Sequence, residues 1–163
     1  AVLNNDGSRE VTRTSRLGLF RHFHGVNTTF IASPRQPEVF KDVRCLLVPE
    51  PLSYRPFVEK ALEMFGLEKQ FDEVNRLVKI ESSFDIDELS PIPIMSSIRI
   101  PTFIYSVRND ILTKESDVQT MYDLISTEEK RLHWVDGTVR MKGYTYFQEN
   151  PKIFIEWLAQ YMN

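Results

Sequence analysis

Three histidines, a lone cysteine and a few carboxylates are the residues of this 163-residue chain with chemistry to offer. His22 and His24 stand two apart. On a strand both would point to one side, which is the spacing of a metal-ligand pair. Two ligands are not a set, and no nearby Cys or His completes one. Glu50 and Asp110 each follow a strand-like run at the carboxyl edge, so the fold could bring them near. No metal and no cofactor are expected, and the pair reads as polar groups at a strand end. Cys45 lies inside the apolar run "VRCLLV", where a cysteine is a small core residue rather than a nucleophile. His133, in "LHWV", alternates with Trp134 and should face a covering helix or solvent. Arg140 and Lys142 have the charge to bind an anion, yet in "DGTVRMKGY" they read as a solvated loop. Asp110, in "RND", is either an acid at work or a turn-capping aspartate. No G-x-G occurs among the six glycines, so no phosphate-binding loop is present.

The elements that would position these groups follow from hydrophobic pattern. Four short apolar runs are expected as strands: "RLGLF" (16–20), "VRCLLV" (43–48), "PTFIYSV" (101–107) and "KRLHWV" (130–135). The middle two are nearly continuous in apolar residues, as strands covered on both faces tend to be. Helical patterns lie between them. "VNTTFIASPRQPEVF" starts a helix that Pro34 and Pro37 should interrupt. "YRPFVEKALEMFG" puts Phe57, Ala61, Leu62 and Phe65 on one face and stops at Gly66. "EKQFDEVNRLV" aligns Phe71, Val74 and Val78. "TKESDVQTMYDLI" aligns Val118, Met121, Tyr122 and Ile125, with Thr113 as the expected N-cap. In "NPKIFIEWLAQYM", Asn150 caps, Pro151 takes the first helical position, and Phe154, Trp157, Leu158 and Tyr161 form the buried stripe. Tyr144, Tyr146 and Phe147 should lock the preceding loop onto this helix.

Strands alternating with helices predict an α/β fold with a parallel sheet of about four strands and flanking helices. The length fits one domain over 1–163. Within it, residues 50–98 form a connecting excursion expected to lie over the carboxyl ends of the strands, where ligands bind in such sheets. Its last part, "SSFDIDELSPIPIMSSI", reads as a long connection with about one turn of helix, and "FDIDEL" as charged surface.

Composition excludes some classes. A net charge of -3 argues against a nucleic-acid surface. No apolar run approaches the ~20 residues of a membrane span. A single cysteine excludes an internal disulfide and favours a reducing, cytoplasmic setting. The chain begins with Ala and carries no visible signal peptide, as expected of a processed or excised chain.

At this point the sequence resembles the carboxyl-terminal half of an α/β-hydrolase, from the elbow strand to the final helix. "LGLFRHFHGVNTTF" resembles the elbow strand and its helix. "IRIPTFIYSVRNDILT" resembles the strand and turn that end in the acidic triad member, placing Asp110 there. "EEKRLHWVDGTVRMKGYTYFQENPKIFIEWLAQYM" resembles the last strand, the histidine loop and the closing helix. The order elbow, acid, histidine loop is also that superfamily's order. The departures are chemical. Where the family has Gly-x-nucleophile-x-Gly, this chain has Arg21-His22-Phe23-His24-Gly25, and phenylalanine cannot attack a carbonyl. The histidine loop has no histidine, so only the acid, Asp110, remains. His22 or His24 could substitute as a base by reaching Asp110, which would still supply no nucleophile.

Two functions follow from the resemblance. The first is a degraded, non-catalytic domain acting through binding or assembly. The second is an active esterase, thioesterase or peptidase whose nucleophile is unrecognised or lies on a missing amino-terminal half or a partner chain. The family sheet has about eight strands with the elbow strand in its middle, so "RLGLF" should here be a bare sheet edge. A second copy of the chain or the missing half is the expected partner, with a small molecule in the old pocket as the other.

Overall fold

The computed structural model describes residues 2–3, 9–10, 17–20 and 24–162. Its centre is a four-stranded parallel sheet in the order β3-β4-β5-β6, with β3 at Leu17–Phe20, β4 at Val43–Pro49, β5 at Thr102–Val107 and β6 at Lys130–Val135. All four match the expected runs to within a residue or so. A separate antiparallel pair, β1 (Val2–Leu3) with β2 (Arg9–Glu10), was not anticipated. Two-residue strands carry too little pattern to be read from sequence.

β4 and β5 are buried along almost their whole length because helices cover both faces. On one face Leu46, Val48 and Ile104 pack with Phe30 of α1 (His24–Arg35), with Met95 and Ile98, and with Val118, Met121 and Ile125 of the α5 region (helix Glu115–Leu124). On the other, Cys45, Leu47, Phe103 and Tyr105 pack with Phe154 and Trp157 of α8 (Pro151–Met162). The period-2 alternation of a strand sends neighbouring residues to opposite cores, which is why both faces of the run must be apolar.

Several helical details differ from the sequence reading. Pro34 sits inside the last turn of α1, and the chain resumes as a short α2 (Pro37–Phe40). α3 (Tyr54–Met64) ends at Gly66 as expected, with φ +67°, but Phe65 is 76% exposed and leaves the predicted face. α4 spans Phe71–Ser82. The connection before β5 holds a 3-10 stretch, Ile92–Ser97. That connection is more than surface, because Ile86, Met95 and Ile98 are fully buried. Thr113 does not cap α5. The residue before that helix is Lys114, and the Thr113 hydroxyl is committed elsewhere.

Candidate functional site

The carboxyl ends of β4, β5 and β6 bring three chain segments together. β4 runs into Glu50, whose φ of 49° turns the chain sharply while its N–H still donates to the carbonyl of Tyr105 (2.8 Å). β5 ends in the turn holding Asn109 (φ 55°) and Asp110. After β6 the loop 136–139 leads into α6 (Arg140–Gly143). Each segment contributes one charged group, and all three groups are buried: Glu50 fully, Asp110 at 2% and Arg140 at 7% side-chain exposure.

Arg140 is the centre of the cluster. Its Nη1 donates to Asp110 Oδ2 and to Thr113 Oγ1 (2.8 Å), its Nη2 to the carbonyl of Glu50 (2.7 Å), and its Nε to the hydroxyl of Tyr144 (2.9 Å). Nη1 also stands 3.8 Å from Glu50 Oε2. A planar guanidinium with five donors can satisfy three segments at once, where an ammonium could not. The expectation of a solvated loop is therefore wrong for Arg140, though Lys142 is exposed. Sequence pattern missed Arg140 because a basic residue in a Gly- and Thr-containing loop normally faces water. The partners that bury it lie 30 and 90 residues away.

Asp110 has the geometry of a turn-capping aspartate and is also held by Arg140. Oδ1 accepts the backbone N–H of Leu112 (3.0 Å), the bond of a turn-capping aspartate, while Oδ2 is taken by Arg140. The charged partner of the Asp110 carboxylate is thus a guanidinium. His22 lies outside the described residues. His24 opens α1, but its side chain is likewise outside them. His133 is half-buried, its Nε2 3.0 Å from the hydroxyl of Tyr146, with the two rings stacked. It serves α7 (Tyr146–Glu149), not the cluster. Burial, then the nearby Arg131 charge, hold its pKa below the usual 6.5. Tyr146 and Phe147 pack toward α8, whereas the Tyr144 hydroxyl turns to Arg140.

In the sequence Glu50 reads only as an acid near a strand end. Its Oε1 accepts the N–H of Val107 (3.0 Å) and its Oε2 the hydroxyl of Ser106 (3.0 Å). Burial pushes its pKa from near 4.5 up to about 7, against the lowering pull of Arg140 and of the two hydrogen bonds. Cys45 is fully buried, and burial raises its thiol pKa, which suits a core residue and not a nucleophile. Among the described residues no three His, Cys, Asp or Glu side chains are grouped to hold a metal ion. A cleft of about 660 Å³ opens beside the cluster, between Pro56, Lys60 and Glu63 of α3 and Asn109, Leu112 and Thr113 of the loop after β5.

This sheet order, with an acid after β5 and a loop and closing helix after β6, is a partial α/β-hydrolase fold, its carboxyl-terminal half. Among solved structures, the chain is similar to the Pyrococcus furiosus esterase Pf2001, at TM-score 0.68 and 18% identity over 93% of this chain and 56% of that one. It is also similar to MGS-MChE2, an α/β-hydrolase from the metagenome of Mar Chica lagoon sediments (TM-score 0.59, 16% identity, 90% of this chain and 62% of that one). The Pyrococcus horikoshii acylaminoacyl peptidase gives TM-score 0.58 at 14% identity, over 90% of this chain and 24% of that one. The chain thus spans a little over half the length of the esterase it matches. No family model and no curated protein matches the sequence. Among the described residues no helix is long and apolar enough to cross a membrane.

Proposed function

We propose that this chain is a non-catalytic α/β-hydrolase-like domain that acts through binding or assembly. The observation that carries the reading is the engagement of Asp110 by Arg140. In acyl transfer the acid orients a histidine that takes and returns a proton. A guanidinium stays protonated throughout the physiological range and cannot act as that base. With Phe23 at the nucleophile position and no histidine in 136–144, both moving parts of the reaction are missing. The charged cluster then serves to tie three strand ends together. The buried, lone Cys45 fits a cytoplasmic protein.

The cleft between α3 and the loop after β5 is the place for a small ligand, since the excursion 50–98 borders the carboxyl end of the sheet there. The partner for assembly is the amino-terminal half of the sheet or a second copy, meeting β3. The competing reading is an active hydrolase completed by another polypeptide. It draws support from esterases being among the similar structures and from the half-length coverage.

Turnover of p-nitrophenyl esters, together with labelling by a fluorophosphonate probe, separates the two. The expected outcome is neither turnover above buffer nor labelling. Stoichiometric labelling at one residue, with turnover lost when that residue is replaced, would establish the hydrolase instead.

A further inference from the structure

The cluster holds two carboxyl groups and one guanidinium, and the geometry does not share that cation equally. Arg140 Nη1 bonds Asp110 directly but stays 3.8 Å from Glu50 Oε2. The remaining guanidinium contacts go to neutral oxygens of Thr113, Tyr144 and the Glu50 backbone. Glu50 is left with one backbone N–H and the Ser106 hydroxyl. An ionised Glu50 would be a second buried carboxylate against a cation already engaged, which a dry site tolerates poorly. Protonated, it fits the same 3.0 Å contact with the carboxyl proton donating to Ser106 Oγ.

The lid over this group is α6. Gly143 lies so close that a Cβ there would collide with Glu50 Oε1 and stand 2.7 Å from Val107 Cγ2, so the helix seals the carboxyl group from water. α6 is only four residues long, and Val139 just before it and Met141 within it are exposed at 63% and 68%. So short a segment, anchored chiefly through Arg140, opens as one unit once the Arg140 contacts shift. Among the described residues the titratable groups facing Glu50 are Arg140 and Tyr144 from α6 and its C-cap, Asp110 from the turn after β5, and Tyr105 from β5 itself. Both tyrosine hydroxyls have pKa values raised by burial, so they stay neutral where Glu50 titrates.

We propose that Glu50 is kept protonated beneath α6, and that its ionisation lifts Arg140–Tyr144 to admit water, making this segment a pH-gated flap over the carboxyl end of the sheet. The charge left by the lost proton is relieved only by solvent or by a shift of Arg140 away from Asp110, and either movement breaks the seal at Gly143.

Amide hydrogen exchange between pH 5.5 and 8.5, corrected for intrinsic rates, reads the flap directly. The amides of Lys142 and Gly143 bond to the carbonyl of Val139, just before the flap, and that of Tyr144 to the carbonyl of Arg140. Their protection should fall at least tenfold across this range, while the amides of β5 keep theirs. In Glu50→Gln, whose amide can donate to Ser106 as the protonated acid does, protection should not change with pH. Unchanging protection in the wild-type chain, or an equal fall in both chains, would overturn the proposal. If Glu50→Gln does not fold, carboxyl-carbon NMR of glutamate-labelled wild-type chain decides. One glutamate titrating near 7, in step with the loss of protection, supports the flap, and all glutamates titrating below 5 overturns it.

Discussion

Gly143 sits against Glu50 with no room for a side chain between them, so that one residue of the loop after β6 fixes how closely it approaches the strand end of β4. The first prediction follows from that contact. Gly143→Ala must displace a carboxyl group held at both oxygens, or the backbone of α6. We expect a loss of about 1–3 kcal/mol, the usual cost of overpacking, read in denaturant melts. Gly66→Ala is a useful contrast. Nothing lies within 4 Å of its added Cβ, so any cost there comes from its left-handed backbone alone.

Arg140 is expected to be a stability hot spot. Arg140→Met leaves the Asp110 carboxylate buried and unpaired, which typically costs about 3–5 kcal/mol. Arg140→Lys should recover little of it, because one ammonium cannot reach Asp110, Thr113, Tyr144 and the Glu50 carbonyl together. A melting temperature unchanged in either variant would show that the cluster does not hold the strand ends.

The pH dependence of stability carries a definite sign. Glu50 is raised from near 4.5 to about 7 in the folded chain. A raised acid favours the folded state fully below its unfolded value, and that contribution is lost as pH rises toward the folded value. Stability should therefore decline between about pH 4.5 and 7, by about 3 kcal/mol from this group, and level off above. Glu50→Gln should flatten the decline in unfolding experiments across that window.

Assembly is testable at the β3 edge. Among the described residues β3 pairs with β4 alone in its sheet, so its other side has no strand neighbour there. Leu19 is partly buried against the core face of α1 and β4. The chain should run as a dimer or larger species in light scattering, and Leu19→Lys should dissociate or unfold it. A monodisperse monomer that melts cooperatively at micromolar concentration would remove this interface.

Much of the fold was legible because it is local. The runs "VRCLLV" and "PTFIYSV" are apolar on both sides of the strand, and only a sheet covered on two faces needs that. The i, i+3, i+4, i+7 spacing of Val118, Met121, Tyr122 and Ile125 likewise marked the face α5 buries. Where local pattern competed with tertiary packing, packing decided. Phe65 fits the stripe of α3 yet ends beyond the last turn, in solvent. Thr113 has the right type to cap α5 but gives its hydroxyl to Arg140.

The sequence by itself determined the α/β architecture and the order of its elements. Those are properties of residue type and spacing along one strand or loop. Only the tertiary structure decided what Asp110 meets. Glu50, Asp110 and Arg140 are separated by up to 90 residues, and each looks like surface when read alone. They become one buried cluster because parallel strands put every carboxyl end on the same side of the sheet. A charge can stay in that dry place only with its partners already assembled around it.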